Sequence, residues 1–586
     1  MRRLHAAVLA ALTACAAAAI AGCGAGSTPV SPNPTIVQTQ SGPVLGAISG
    51  STRTFQGIPY AAAPLGNLRW APPSPRPTFS PPYFDATKAP TVCPQGGPAQ
   101  GVPYGLDQTT SEDCLNLNIT EPYPAVNAPV MVWIHGGSFN QGSGAFYPGA
   151  AFAAQGVVFV SINYRLGLLG FLASSLWDTS GVQVANFGLE DQIAALQWVH
   201  KNIAAFGGNP ANVTIAGESA GALSVCALVA NAAAGGSPSA AGTFNRAIVE
   251  SGPCQAPNTT LTSAESSESA YVTALEANCP SGQSGAACLR SLPLATIMNV
   301  QLSQLQNPTV FPAQGGPAFP TTTSSAIGAV PMMLGGNKYE WGLFVALYAL
   351  SGLEPLPQNQ TQYNAELSAT SNYGSTVGPI VASSPQYSWT TFNPGGTWSA
   401  LDTQWAQWGG QDLVAPTVTE ADFMPADVLA LCYDVVNWNK AAATTNPIYA
   451  YEFADPNAPT TLPYSPYNLA VPPGPLHAAE LQYLFPGIAS PPNVPPNNVS
   501  ASAMLTGNEA TLSQTMIAYW ANFVKTGNPN ASGLPAWSPY TTVNGTQAQQ
   551  LNSGTNGVGP GVSVDAEHNC STFWEPIYSS VPGLLD

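Results

Sequence analysis

Two runs in the first third of the chain, Val130-Met131-Val132-Trp133-Ile134 and Val157-Val158-Phe159-Val160-Ser161-Ile162, are apolar almost without a break. Hydrophobicity that is continuous rather than alternating predicts strands covered on both faces, as in a parallel sheet flanked by helices. The period then changes: Ile193, Ala194, Leu196, Trp198 and Ile203 recur near helical spacing within Asp191 to Ala205. A β-branched run, Val213-Thr214-Ile215, leads through Gly217-Glu218-Ser219-Ala220-Gly221 into the small-residue helical stretch Ala222 to Ala230, and Arg246 to Ser251 reads as the next strand. This alternation predicts an α/β fold with a mostly parallel twisted sheet, in which ligands bind at the carboxyl ends of the strands. From about Val300 to Thr445 the periodicity gives way to Pro, Gly, Ser and aromatic residues. That stretch is expected to form insertions that build a cap and a gorge wall, with Phe139, Trp341 and the aromatics between residues 339 and 408 as candidate linings.

The first 22 residues read as an export signal rather than as fold. Arg2 and Arg3 precede an apolar stretch from Ala6 to Ile20 that is short for a bilayer span. It ends in Ile20-Ala21-Gly22-Cys23, which resembles a bacterial lipobox, so Cys23 is expected to carry lipid. Residues 23–35, with Pro29, Pro32 and Pro34 among Ser and Thr, form a tether, and residues 36–586 one large domain with insertions. The protein is thus expected to be exported and anchored at the cell envelope by lipid alone, or otherwise secreted.

Charge narrows the partners. With 13 Lys and Arg against 30 Asp and Glu, the net charge of −17 repels phosphate backbones and argues against nucleic acid. Ten cysteines fit an oxidising compartment, and two close-spaced pairs stand out: Cys93 with Cys114, and Cys279 with Cys288. Cys226, on the helix after the Ser219 turn, reads as a buried inert thiol, and Cys254, Cys432 and Cys570 show no pairing in the sequence. No CxxC occurs and no two histidines stand at ligand spacing, so neither a metal nor a cofactor is expected.

The strand-turn-helix context makes Ser219 a nucleophile candidate, because glycines two residues to either side let the chain reverse sharply under an exposed hydroxyl. His135-Gly136-Gly137-Ser138 follows the Val130–Ile134 strand. Its Gly136 and Gly137 amides, with that of Ala220, could form a three-donor oxyanion hole. A base that follows the serine in chain order must be His477 or His568, and His477, in a Pro/Gly loop opening a helix, is the better placed. Fifteen carboxylates lie between Ser219 and His477, and spacing selects none of them as the acid.

These segments carry a resemblance. Phe55-Gln56-Gly57-Ile58-Pro59-Tyr60-Ala61, Leu68-Arg69-Trp70, Ser111-Glu112-Asp113-Cys114-Leu115-Asn116-Leu117-Asn118 and His135-Gly136-Gly137 come first. Asn163-Tyr164-Arg165-Leu166-Gly167, Asn186 to Gln192, Phe206 to Pro210, the Ser219 elbow, Glu250-Ser251-Gly252 and Lys525 to Pro529 follow in order. Together they resemble the type B carboxylesterases of the α/β-hydrolase superfamily, a group that includes cholinesterases and bacterial para-nitrobenzyl esterases. The resemblance implies hydrolysis of small-molecule carboxylic esters without metal or cofactor. It also selects Glu340, in Gly336-Asn337-Lys338-Tyr339-Glu340-Trp341-Gly342, as the carboxylate that orients His477. It places Glu218 and Ser251 close to the triad, the pairs Cys93–Cys114 and Cys279–Cys288 where the family has disulfides, and Arg69 with Glu112 and Arg165 with Asp191 as internal ion pairs. A lipase or aromatic-ester specialist would differ only in the gorge, and a non-catalytic adhesion relative would typically lack the serine that this chain retains. Acyl specificity and oligomeric state are not legible in the chain.

Overall fold

The computed structural model describes residues 34–576 except 80–81, 96–109, 179–181, 253, 255–258, 304–309, 341–358, 369–373, 386–387, 389–430, 460–473, 489–503, 542–546, 555–556 and 562. The export signal, Cys23 and most of the tether therefore lie outside the described residues, as do Trp341 and much of the expected cap.

Eleven described strands form one sheet. In spatial order they are Gly559–Pro560, Gln549–Leu551, Ile448–Phe453, Met332–Asn337, Arg246–Glu250, Gly208–Glu218, Ala128–Ile134, Val158–Ile162, Asn116–Pro122, Thr52–Pro59 and Ala47–Ser49. The run from Gln549–Leu551 to Val158–Ile162 is parallel throughout, and the strands outside it pair antiparallel at both ends. The chain crosses from Ala128–Ile134 outward to Val158–Ile162 and then returns to the other flank at Gly208–Glu218. This reversal of winding direction opens a crevice at the carboxyl ends of the neighbouring strands.

Side-chain sorting explains why those strands read as unbroken apolar runs. Val130, Val132 and Ile134 pack into a core on one face with Val158, Val160, Val213 and Ile215. Met131 and Trp133 point into a second core on the other face with Phe159, Ile248, Met333, Tyr449 and Tyr451. Both faces are dry, so neither set of alternating positions can be polar. The helix expected over Asp191 to Ala205 starts earlier, at Phe187, and runs to Asn202 before tightening into a 3₁₀ turn at Ile203–Phe206. The helix after the Ser219 turn spans Ala220–Ala234. Helix Gly507–Thr526 is closed by a capping box between Thr506 and Glu509 and by Gly527 at φ 78.

The cysteine expectations are met in part and corrected in part. Cys93–Cys114 and Cys279–Cys288 are bonded. Cys226 is not an inert thiol: it is bonded to Cys254, tying the helix behind Ser219 to the loop after strand Arg246–Glu250. Cys432 and Cys570 form a fourth bridge across a separation of 138 residues. Phe139 also departs from expectation, since it is fully buried and meets Phe171 and Phe311 edge to face at 5.0 and 5.7 Å, as core rather than gorge lining. The ion pairs Arg69–Glu112 and Arg165–Asp191 are buried and bidentate.

Loop-closure entropy orders the bridges. A bridge at a separation of 138 restrains the unfolded chain by about 5 kcal/mol, against about 3 kcal/mol for the Cys279–Cys288 separation of 9. The Cys432→Ala/Cys570→Ala protein is therefore expected to lose more of its urea midpoint than Cys279→Ala/Cys288→Ala, as measured by equilibrium denaturation.

Candidate active site

Ser219 sits where strand Gly208–Glu218 turns into helix Ala220–Ala234, at φ 56 and ψ −125. This conformation is costly for an L residue, on the order of 1–3 kcal/mol, and persists only where neighbours over-determine it. They do so here. A Cβ on Gly217 would lie 2.5 Å from the Gly221 carbonyl, and one on Gly221 would lie 2.0 Å from the Ile134 oxygen. The Ser219 N–H donates to the Glu250 carbonyl at 2.9 Å. Only the short side of each neighbour lets the turn close, and the hydroxyl is left partly exposed above an otherwise buried elbow.

The loop after strand Ala128–Ile134 comes against that elbow. A Cβ on Gly136 would meet Glu218 O at 2.7 Å and the Ser219 Cβ at 3.0 Å, so the bare backbone of Gly136 lies beside the candidate nucleophile. Gly137, Ser138 and Phe139 follow with φ of 105, 52 and 57. Among the described residues the N–H groups of Gly136 and Gly137 have no acceptor. Ala220, at the first turn of its helix, adds a third amide at the positive end of the helix dipole.

Strand Met332–Asn337 leads to the candidate acid, Glu340. The Asn337 N–H donates to Glu340 Oε1 at 2.6 Å, which orients the carboxylate, and Glu340 Oε2 lies 2.6 Å from His477 Nδ1. The histidine segment is stitched to the acid segment by the Tyr339 N–H on the Pro475 carbonyl at 2.9 Å and a bridge between Tyr339 and Leu476. His477 itself is buried, at 5 % exposed, in a turn that precedes the four-residue helix Leu481–Leu484 rather than opening a long one. The other ring nitrogen, Nε2, is 3.2 Å from Glu218 Oε1, on the residue immediately before Ser219. That contact lies outside hydrogen-bond alignment, so the carboxyl neighbours the imidazole without capturing it. His568, the alternative base, is instead paired with Glu452 at 3.0 Å.

Around the candidate triad lie Glu218 and Ser251, which the resemblance placed there, and Glu480 and Trp520, which gave no signal in the sequence. Asn337 Nδ2 donates to Glu480 Oε2 and, at 3.4 Å, to Ser251 Oγ. Ser251, at φ 52, is held by its N–H on Gly335 O at 2.7 Å. Trp520 Nε1 donates to Glu250 Oε1 at 2.8 Å across 270 residues. Glu218, Glu250 and Glu480 are all buried. Burial first, and then the Glu340 charge, pushes the Glu218 carboxyl well above the usual carboxylate range, and burial followed by Glu480 does the same to Glu250. Burial and the charges of Glu218 and Glu340 push Glu480 to about 8. A cluster of carboxyls around one imidazole can share this volume only if some of them hold their protons.

One group of side chains among the described residues could converge on a metal: Glu452, Glu567 and His568. They are already paired, Glu567 with the Lys338 ammonium and His568 with Glu452.

Comparison with known proteins gives the chain its family. A model of the carboxylesterase family matches residues 33–571. Para-nitrobenzyl esterase of Bacillus subtilis (strain 168) is 31% identical over 525 residues, covering 86% of this chain and 92% of that protein. Cocaine esterase of Homo sapiens is 31% identical over 538 residues, 88% of this chain and 87% of its own. A solved structure of PNB esterase superposes with a TM-score of 0.70 at 28% identity, over 92% of this chain and 99% of the other. The chain belongs to the carboxylesterase family, has the α/β-hydrolase fold and is a carboxylic ester hydrolase.

Proposed function

We propose that this enzyme cleaves small-molecule carboxylic esters by two-step acyl transfer, with Ser219 as nucleophile, His477 as general base and then acid, and Glu340 as the carboxylate that fixes the imidazole. The observation that carries the reading is the 2.6 Å contact between His477 Nδ1 and Glu340 Oε2, with Nε2 3.2 Å from Oε1 of Glu218, the residue before Ser219. A proton on Nδ1 is held by Glu340, which leaves the Nε2 lone pair to accept the proton of Ser219 Oγ.

The steps follow from that tautomer. Oγ attacks the ester carbonyl carbon as its proton passes to Nε2, and the carbonyl π electrons move onto oxygen. The amides of Gly136, Gly137 and Ala220 stabilise that oxyanion. Collapse of the tetrahedral species breaks the bond to the alkoxy group, which leaves as the alcohol with the proton from Nε2. Water then attacks the acyl-serine, gives its proton to Nε2, and the second collapse returns that proton to Oγ and releases the carboxylic acid. The imidazolium formed in each half is balanced by Glu340, while the upward shifts of Glu218 and Glu480, the latter to about 8, disfavour a second buried anion beside it. We further propose that the chain is exported through its first 22 residues and held at the envelope by lipid on Cys23, which the Ile20-Ala21-Gly22-Cys23 pattern supports.

Two experiments check this reading. Ser219→Ala is expected to lose about 10⁴-fold or more in kcat toward a para-nitrophenyl ester with an unchanged circular dichroism spectrum, and Glu340→Gln about 10³- to 10⁴-fold, because the amide cannot hold the productive tautomer. Ester turnover at the wild-type rate by Ser219→Ala would refute it. The second concerns pH and stability. A carboxyl whose folded pKa is raised binds more protons in the native than in the unfolded state, so its contribution is present at acid pH. It is lost as pH rises from the unfolded value of about 4.3 to the folded one. With Glu480 at about 8 and Glu190 also at about 8, the urea midpoint is expected to be higher at pH 5.5 than at pH 8.5, and Glu480→Gln to flatten that fall.

A further inference from the structure

Strand Met332–Asn337 ends just before Glu340, and the residues of the turn between them are sorted by side. Asn337 and Glu340 are buried, at 0 % and 2 % exposed, whereas Lys338 and Tyr339 are partly exposed. The turn closes on itself, because the Asn337 N–H donates to Glu340 Oε1 at 2.6 Å. The carboxylate that faces His477 is therefore aimed from the backbone of a residue three positions earlier. Whatever fixes the Asn337 peptide fixes the acid.

Main-chain bonds hold the outer part of the turn. The Lys338 N–H donates to the Phe453 carbonyl at 2.9 Å, and the Tyr339 N–H to the Pro475 carbonyl at 2.9 Å. Asn337 is the last residue in register with the neighbouring strand, opposite Phe453, and its own N–H goes to Glu340. Its side chain supplies the anchor that the ladder no longer gives. Nδ2 donates to Glu480 Oε2 and, at 3.4 Å, to Ser251 Oγ. Lys338 reaches instead to Glu567 on the exposed side.

The two acceptors come from different parts of the fold. Ser251 follows strand Arg246–Glu250 and is held by its N–H on Gly335 O at 2.7 Å. Glu480 lies three residues beyond His477, in the same turn. One buried amide thus ties the acid segment to the histidine segment and to the adjoining strand end. Asn337 Oδ1 meets no hydrogen-bond partner among the described residues, so the amide serves the site as a donor. A carboxyl oxygen accepts from an amide whether or not the group holds its proton, so ionisation of Glu480 does not break the tie.

We propose that Asn337 is a positioning residue whose side-chain amide, bound to Glu480 and Ser251, fixes the peptide N–H that aims Glu340 at His477. The proposal rests on the Ser219, His477 and Glu340 reading given above and adds a side chain that acts through the acid alone. Without the amide, the turn keeps its main-chain bonds at Lys338 and Tyr339, but its inner corner is free to shift. A displaced carboxylate holds the Nδ1 proton less well, and small misplacements of a catalytic group are costly. Asn337 is fully buried and cannot touch an ester, so the loss falls on the chemical step and not on substrate affinity.

The test compares wild type, Asn337→Ala, Glu340→Gln and the double variant on a para-nitrophenyl ester. Beside the steady-state constants it measures how fast a fluorophosphonate labels Ser219 and what fraction of chains it labels. Asn337→Ala is expected to lower kcat about 10- to 100-fold with KM within about twofold, and to slow labelling by the same factor while complete labelling is still reached. In the Glu340→Gln background the same substitution is expected to change the rate less than about twofold, since its route to the imidazole is already lost. An asparagine that only supports the fold would instead lower the labelled fraction at an unchanged rate per site. That outcome, a wild-type kcat, a loss confined to KM, or an equal loss in both backgrounds overturns the proposal. Where Asn337→Ala does not fold, Asn337→Ser, whose hydroxyl is too short for Glu480, carries the same comparison, and failure of both to fold assigns Asn337 to stability and ends the proposal. Glu340→Gln at the wild-type rate would reject the triad reading itself, whereas an impaired Glu340→Gln beside an unaltered Asn337→Ala rejects the positioning role and spares the triad.

Discussion

The reversal of the chain at Ser219 is the constraint on which the rest of the site depends. A serine at φ 56 and ψ −125 is held there by Gly217 and Gly221, which leave room for the Ile134 carbonyl, and by the Glu250 oxygen on its N–H. Those contacts engage the carboxyl ends of two neighbouring strands, and the Ser251 N–H on Gly335 O joins a third. Strand Ala128–Ile134 brings Gly136 against the serine, strand Arg246–Glu250 brings Ser251, and strand Met332–Asn337 brings Asn337 and Glu340. A parallel sheet makes this convergence natural, since all its strands end on the same edge.

Electrostatics around the imidazole follow from the same closeness. Glu218, Glu250, Glu340 and Glu480 are buried within mutual influence, and among the described residues the cluster contacts one histidine and no lysine or arginine. Burial and mutual repulsion raise Glu218, Glu250 and Glu480 above the usual carboxylate range, Glu480 to about 8, which disfavours further buried anions beside the Glu340–His477 pair. The acidic surface implied by the net charge of −17 is a separate matter, bearing on solubility and partner choice.

Much of this was legible in the chain, for identifiable reasons. The strands around Val130–Ile134 and Val158–Ile162 showed themselves as continuous apolar runs because the structure buries Val132 on one face and Trp133 on the other. Ser219, Gly136 and Gly137 carried local signatures of turn and glycine. Glu340 had none, because a carboxylate that meets His477 across 137 residues leaves no periodic trace, and only the family resemblance singled it out. Cys226 read as inert for the same reason: its partner Cys254 lies beyond a full helix and strand. Phe139 read as gorge lining because aromatic character does not distinguish a pocket wall from a core, and packing against Phe171 decides for the core. The network through Asn337, Glu480 and Trp520 joins residues 143 and 270 positions from their partners, a scale on which sequence patterns are silent.

The account turns on one hydroxyl being activated by one imidazole. Its most direct test is mass spectrometry of the native enzyme after reaction with a fluorophosphonate, with the modified peptide sequenced. One phosphonate per chain on Ser219, and none on enzyme first unfolded in urea, is the result the account predicts. Stoichiometric labelling of another serine that abolishes ester hydrolysis, with Ser219 left unmodified, would contradict it.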